Sequence, residues 1–292
     1  MKLSSHITLF ISVVILLLTI GFVYGGSNRF HKEIAFSGER ELKANLQAGF
    51  AKLNISRGSS AHLFDAEIYT DRNEDVTNFI DYSVRDRVGY LNLNTDEKCN
   101  DKKKSIHISK FESSTWNTTF SDAVPISFDV ELGLGSGIFN LTGLSVKDLN
   151  LSVGASEVTL RFDEPNKSMI DDMTIEAGLS KFVGRGLSNA NFKHMKFEGG
   201  VGSYTLDFDG TMNQEADADI EVGLGSLIII VPRHIGVKVM SEKSILTHME
   251  VDKDFTEQRE DNYFSSNYYS ASGKINFHIE AGLGSVKIMR ER

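Results

Sequence analysis

The chain has 292 residues, of which 40% are hydrophobic and 24% charged, so it carries enough apolar side chains for a folded core and is not a disordered chain. Its 40 acidic residues against 31 basic ones give a net charge of -9, which argues against nucleic acid as a partner. The single cysteine, Cys99, excludes an intramolecular disulfide framework and a multi-cysteine zinc site.

Residues 1–25 predict a segment that directs the chain across a membrane. The apolar run Ile7–Val23 contains no charged residue, follows Lys2 and precedes Gly25 and Gly26. Small residues at that point are typical of a cleaved signal peptide, whereas the length of the run lies at the lower limit for a retained spanning helix. Either interpretation predicts an extracytoplasmic protein, in the periplasm or at the cell surface, that meets a membrane only through this segment if it is not cleaved.

A short glycine-rich pattern recurs along the rest of the chain. Its clearest copies are VELGLGS at 130–136, FEGGVGS at 197–203, IEVGLGS at 220–226 and IEAGLGS at 279–285. We take the first glycine of each copy as its index glycine, and the set is Gly133, Gly154, Gly178, Gly200, Gly223 and Gly282, with a weaker copy at Gly49. From Gly133 to Gly223 the index glycines follow one another at nearly constant intervals. Such regular spacing indicates a repeated structural unit.

One copy of the pattern predicts the local structure. Ile220, Val222 and Leu224 alternate with Glu221 and the glycines, which predicts a strand with its aliphatic side chains on the core face. The index glycines predict structural corners where backbones approach closely. A unit of about 22 residues with two short strands cannot bury its own apolar face, so stacked units are expected. The sequence therefore predicts an all-β, single-stranded β-solenoid.

Two other folds share parts of this pattern. A leucine-rich repeat is suggested by Leu141–Val146, but no segment between corners shows helical periodicity over a full helix length. A β-sandwich also alternates short strands with turns, and it stays open as the alternative.

Two stretches interrupt the regular spacing. The first, between Gly49 and Gly133, is expected to hold degenerate or capping units, with Ile106–Ser109 as one of its strands. The second lies between Gly223 and Gly282, and Val237–Val239 could supply one more unit there. The predicted organisation is an N-terminal degenerate or capping β region over 26–115 and the solenoid over 116–292, with an insertion at 249–272.

The usual catalytic and ligand-binding motifs are missing from the sequence. The glycine corners are not followed by Gly-Lys-Ser/Thr or by a helix, which argues against a phosphate loop. The histidines form no His-Glu-x-x-His pair, and no Gly-x-Ser-x-Gly occurs. We therefore predict no catalytic residue, no metal site and no cofactor. A carbohydrate-active enzyme on a solenoid scaffold remains an alternative, because a carboxylate pair could lie among the acidic residues, and so does a purely structural spacer.

Glutamates precede the index glycines by two residues in five copies, at Glu131, Glu176, Glu198, Glu221 and Glu280. If the units stack in register, these carboxylates form a ladder about 4.8 Å apart per unit. The ladder is expected either to be a solvated face or to attract cations.

Aromatic residues concentrate in the predicted insertion, at Phe255, Tyr263, Phe264, Tyr268 and Tyr269. Such residues are typical of recognition surfaces, so they are candidate partner-binding residues. The alternative is that the insertion covers an exposed strand edge of the solenoid. In both cases its removal, from Asp254 to Tyr269, is expected to leave the fold intact.

The run from Trp116 through PISFDVELGLGS, followed by LTGLSVKDLNLSVGAS at 141–156 and FEGGVGS at 197–203, resembles bacterial toast-rack domains. These are relatives of the C-terminal domain of LiaF-type cell-envelope stress regulators and of adhesin head domains. The resemblance implies an extracytoplasmic β-solenoid, generally without known catalysis, that serves sensing or adhesion through an envelope protein or a polysaccharide partner. No functional residue is carried over, because the matching positions are corner glycines and core aliphatics. The chain departs from the LiaF pattern because no multi-helix membrane domain precedes the solenoid.

Overall fold

The computed structural model describes residues 28–71, 75–95, 114–243, 247–259 and 261–291. The predicted export segment 1–25 and the predicted strand Ile106–Ser109 lie outside these residues. No helix in the described ranges is long and apolar enough to cross a membrane.

The described residues form one sheet of 16 strands and two short 3₁₀ helices, Val76–Phe79 and Leu187–Ala190. The strands are β1 (Asn28–Ala35), β2 (Glu41–Arg57), β3 (His62–Thr70), β4 (Ile80–Arg85), β5 (Val88–Asn94), β6 (Ser114–Phe120), β7 (Ile126–Asn140), β8 (Val146–Arg161), β9 (Ile170–Arg185), β10 (Phe192–Asp207), β11 (Glu215–Pro232), β12 (Gly236–Lys243), β13 (Thr247–Val251), β14 (Phe255–Arg259), β15 (Asn262–Ser265) and β16 (Lys274–Glu291).

Long parallel strands, which we call rungs, make up the centre of the sheet. In spatial order they are β2, β7, β8, β9, β10, β11 and β16, and each pairs in parallel with the next. Consecutive antiparallel strands, which build a β-sandwich, do not occur among these rungs. The predicted all-β solenoid is confirmed, and the sandwich alternative is wrong.

Each rung is one continuous strand that bends at its glycine corner. Phe197 and Tyr204 lie on either side of the corner in β10, and their ring centroids are 5.4 Å apart. A straight strand over the same stretch would span about 23 Å, so the two halves of the rung must fold toward each other. The core lies between these halves, where Phe182 of the preceding rung packs against Phe197 at 5.5 Å.

The inward-facing positions change parity at the corner. In β11 the buried residues have even numbers before the corner and odd numbers after it: Ala216, Ala218, Ile220, Val222, then Leu227, Ile229 and Val231. The corner therefore contains one extra residue, as a β-bulge does, and Gly225 adopts a positive φ of 139° within it. As a result Leu224 is 45% exposed. The prediction that Leu224 faces the core was wrong.

Short strands close both ends of the stack. The first half of β2 pairs with β5 and its second half with β6. At the other end the two halves of β16 pair with β12 and β13. The long interval between Gly49 and Gly133 adds no rung between β2 and β7, since these two strands pair directly. The predicted extra unit Val237–Val239 lies in β12, on the far side of β16.

Candidate functional site

The index glycines of consecutive rungs lie over one another in a single column. A Cβ atom at Gly133 would lie 2.6 Å from the carbonyl oxygen of Gly49, and one at Gly282 would lie 2.5 Å from that of Gly223. Contacts this short leave no room for a side chain. The same stacking on the preceding glycine continues through Gly154, Gly178, Gly200 and Gly223.

The glycine column leaves a groove of ≈ 970 Å³ on the outer surface of the stack. Glutamates two residues before the index glycines form its first wall. The strand register places Glu176, Glu198, Glu221, Glu280 and Glu242 side by side on consecutive strands. Beyond Glu176, the predicted ladder is interrupted by Ser152 before it reaches Glu131.

An aliphatic ridge follows the glycine column on the side away from the glutamates, one residue after the index glycines and outside the residues that line the groove. It consists of Leu179, Val201, Leu224 and Leu283, which are neighbours in the register of four consecutive rungs. Their exposed fractions are 37%, 45%, 45% and 47%. Single exposed aliphatic residues are ordinary, whereas a contiguous row of four is a feature that interaction surfaces share.

The glutamate wall creates a negative potential that acts on nearby cations. The Lys196 ammonium contacts the Glu198 carboxylate. This hydrogen bond raises the pKa of Lys196, and the charges of Glu221 and Glu176 raise it further. The surface therefore has the glutamate wall on one side of the glycine column and the aliphatic ridge on the other, an arrangement suited to a ligand that is both cationic and apolar.

The predicted partner-binding aromatics divide into two groups. Phe264, Tyr268 and Tyr269 form an aromatic cluster, in which Phe264 stacks on Tyr269 at 5.9 Å and Tyr268 meets Tyr269 edge-on at 5.2 Å. Tyr269 is 72% exposed. Phe255 and Tyr263 instead pack against the core. The contacts of Phe255 and Tyr263 suit a structural contribution, while Tyr269 is the exposed ring of the cluster and Phe264 and Tyr268 are half-buried beside it.

The insertion also covers a strand edge and supplies partners to a buried charge. Strand β15 pairs with β12, and β14 pairs with β15. Arg290, whose side chain is fully buried, donates from Nε to Asp254 Oδ2 at 3.1 Å and from Nη2 to Asn267 Oδ1 at 3.2 Å. Removing Asp254–Tyr269 would take both partners away from this guanidinium. The structure therefore argues against the expectation that the insertion is dispensable for folding.

The aliphatic ridge was missed by sequence reasoning. Simple alternation from Ile220 and Val222 predicts that Leu224 faces the core, because it does not allow for the extra residue at the corner. The signal that could have revealed the ridge lies in the copy at β8, where the apolar residues are odd-numbered before the corner (Leu149, Leu151, Val153) and even-numbered after it (Val158, Leu160, Phe162).

A stack of bent parallel rungs, closed at both ends by short strands, defines the protein as a capped β-solenoid. The family model described as "N-terminal domain of toast_rack, DUF2154" matches residues 25–184, and the model described as "Cell wall-active antibiotics response LiaF, C-terminal" matches residues 185–288. The chain belongs to the toast-rack family, with a LiaF-like C-terminal portion. This confirms the resemblance in the sequence. The two matches meet inside the stack, at the end of β9.

Solved bacterial structures are also similar to this chain. A "putative cell adhesion protein" from Clostridium sporogenes is 22% identical, with a TM-score of 0.43, over 90% of this chain and 99% of that chain. A "putative adhesin" from Bacteroides fragilis is 15% identical, with a TM-score of 0.30, over 91% of this chain and 99% of that chain. A comparison with curated proteins finds no similar sequence.

Proposed function

We propose that this protein is a non-enzymatic binding module of the bacterial cell envelope that binds a protein partner on the surface formed by the glutamate wall, the glycine column and the aliphatic ridge. The observation that carries the proposal is the row of four exposed aliphatic residues on consecutive rungs. Desolvation of such a row on binding is favourable. The predicted export segment and membership in the toast-rack family support the location.

The chemistry of the two walls supports a cationic amphipathic helix as the bound segment. Successive rungs are about 4.8 Å apart, which is close to the roughly 5.4 Å pitch of an α-helix. An extended strand repeats its side chains on one face about every 6.6 Å, so it would lose register with the rungs. The ridge covers three rung spacings, about 14 Å, which corresponds to a helix of about ten residues. Such a helix would direct Lys or Arg toward the glutamates and its aliphatic stripe toward the ridge.

A polysaccharide partner is the second candidate, and the aromatic cluster supports it. Tyr269 is 72% exposed and stacks with Phe264. Exposed ring faces of this kind are suited to sugar rings, and the Tyr268 hydroxyl already donates to Asn276 Oδ1 at 2.8 Å, which holds that ring in place.

A carbohydrate-active enzyme stays the alternative function, and it requires a carboxyl group that can act as a general acid. A general acid for glycoside hydrolysis needs a carboxyl pKa raised above its usual range. Burial raises the pKa of Asp207, but this residue ends β10 and is not part of the groove. Its carboxylate accepts the backbone N–H of Asp209, which suits a turn.

The test measures binding of the full-length protein to a labelled helical peptide of Leu and Lys in amphipathic order, with a Leu/Glu peptide of the same pattern as comparison. We expect the Leu/Lys peptide alone to bind, with an affinity that falls as salt rises. The double substitution Leu224→Asp and Leu283→Asp should weaken binding more than about 10-fold, since both residues lie on the ridge.

Ile138→Asp is the matched control, because Ile138 is equally exposed at 49% but lies on the outer face of the other half of β7. It should leave the affinity unchanged within about 2-fold. In-cell crosslinking with mass spectrometry on the same variants then asks whether the envelope partner uses the ridge. Equal peptide binding by the parent, the double variant and Ile138→Asp would overturn the proposal. Tyr269→Ala is added to the crosslinking experiment, and loss of crosslinks in this variant alone would favour the aromatic cluster and a polysaccharide.

A further inference from the structure

A second group of polar side chains lies at the N-terminal end of the stack, separate from the groove. His31 and Glu33 share the exposed face of β1, and Glu33 stands directly opposite Asp65 of the antiparallel strand β3. His62 pairs opposite Ala35 at the irregular end of the same two strands. We propose that His31, Glu33 and Asp65 bind one transition-metal ion, with Zn²⁺ as the preferred ion and water as its fourth ligand.

The distances within this cluster fit a tetrahedral ion. His31 Nε2 lies 2.9 Å from Asp65 Oδ2 and 3.5 Å from Glu33 Oε1. His62 Nδ1 lies 3.7 Å from the same Glu33 oxygen. Zinc–ligand bonds of about 2.0–2.1 Å place tetrahedral ligands about 3.3–3.4 Å apart, which is within the observed spread. The ligand atoms of His31, Glu33 and Asp65 all lie within 4.8 Å of one another.

The placement of the two carboxylates is an independent indication of a bound cation. Like charges directly opposite each other on antiparallel strands are destabilising, and Glu33 and Asp65 form such a pair. The nearby Arg29 already contacts another carboxylate, Glu67. An ion held between Glu33 and Asp65 would remove this repulsion and would join β1 to β3.

The types of ligand favour zinc over calcium or magnesium. One imidazole and two carboxylates suit Zn²⁺, whereas Ca²⁺ and Mg²⁺ prefer oxygen ligands throughout. The three side chains remain between 29% and 51% exposed, so an ion can enter from solvent and water can complete its coordination. Since β1 is the terminal strand of the sheet, the ion would act as a clamp that holds the first strand of the described fold in place.

The protonated form of His31 is the competing explanation for the same geometry. Its hydrogen bond to Asp65 raises the pKa of His31, so a proton could balance part of the negative charge without a metal. The experiment must therefore separate binding of Zn²⁺ from binding of a proton.

The test titrates metal-free full-length protein with Zn²⁺ by calorimetry at neutral pH and repeats the titration with Co²⁺, whose visible absorption reports tetrahedral coordination. We expect one high-affinity ion per chain and a higher thermal midpoint in the presence of zinc. His31→Ala and Asp65→Asn should each lower the affinity more than about 100-fold, since loss of an outer-shell partner alone costs about 10- to 100-fold. Zinc binding should weaken on acidification as the His31 imidazole takes up a proton.

His278→Ala is the matched control. The His278 ring lies 3.6 Å from Asp219 through Nδ1 and 3.6 Å from Glu242 through Nε2. Because these carboxylates lie at opposite nitrogens of one ring, they cannot share a single ion with it, and this variant should bind zinc as the parent does.

Folding of the variants is checked in chelator, where His31→Ala and Asp65→Asn should unfold within about 2 °C of the parent, because both side chains lie on the surface. No stoichiometric zinc binding, or an equal loss of affinity in His278→Ala, would overturn the proposal. Stabilisation that follows acidification instead of zinc would assign the cluster to the protonated histidine.

Discussion

Gly282 and Gly178 occupy equivalent positions in the glycine column, yet the space around them differs. A Cβ atom at Gly282 would lie 2.5 Å from the carbonyl oxygen of Gly223, whereas one at Gly178 would lie 3.4 Å from that of Gly154. We expect Gly282→Ala to lower the free energy of unfolding by about 2 kcal/mol or more, because a rung must shift. Gly178→Ala should change it by less than about 1 kcal/mol, since alanine also reduces the entropy of the unfolded chain.

Chemical denaturation of the two single variants measures this difference, and each serves as the control for the other. Equal losses would mean that the corner needs glycine for its backbone conformation and not for the close contact between rungs.

At the scale of single elements, the buried Arg290 ties the last rung β16 to the insertion. Burial lowers the pKa of Arg290, and Asp254 opposes this shift by its charge and its hydrogen bond. Asp254→Ala should cost about 3–5 kcal/mol, because it leaves a buried charge without its partner. The double variant Asp254→Leu with Arg290→Met should recover most of that loss, since an apolar pair of similar volume avoids the desolvation penalty.

A double-mutant cycle in thermal or chemical unfolding measures the coupling. Glu250→Ala is the control in the same region, because Glu250 makes an exposed ion pair with Lys287 at 3.0 Å and should cost less than about 1 kcal/mol. A loss of similar size in Asp254→Ala and Glu250→Ala would show that the buried pair is not a major contact of the insertion.

The same elements show what periodicity in the sequence can and cannot predict. The spacing from Gly133 to Gly223 predicts the stacked rungs, because each rung repeats the same close contact. The position of Leu224 could not be predicted by simple alternation, since one extra residue at the corner reverses which side chains face the core.

The closing strands could not be predicted from the repeat either. Pairing between β1 and β3 joins segments on either side of the whole rung β2 through antiparallel register, which no repeat encodes. The approach of His31 to Asp65 depends on that register, so a search for short histidine motifs could not reveal it.

At the scale of the whole molecule, the glutamate wall places five of the 40 acidic residues on one line. Glu221 lies between Glu198 and Glu280 in the register. We expect Glu221→Gln to raise the free energy of unfolding by about 0.5 kcal/mol at low salt, because it removes repulsion on both sides. In about 1 M salt, where the screening length falls to about 3 Å, this gain should largely disappear.

Glu157→Gln is the control, and its expected change in the free energy of unfolding has the opposite sign. Glu157 pairs with Lys181 at 2.7 Å on neighbouring rungs, so its neutralisation should slightly destabilise the protein at low salt. Unfolding curves of both variants at the two salt concentrations make the comparison. A gain for Glu221→Gln that does not respond to salt would indicate a packing effect and not relief of charge repulsion.

Because each rung stacks directly on the next, the number of rungs sets the length of the groove. Each additional copy of the repeated unit extends both walls by one strand spacing, about 4.8 Å, without altering the strands already present. Duplication or loss of a single unit would therefore change how long a helix the surface accommodates while leaving its chemistry the same. The number of repeated units thus sets the length of the segment that the surface can bind, and evolution can change this length one unit at a time.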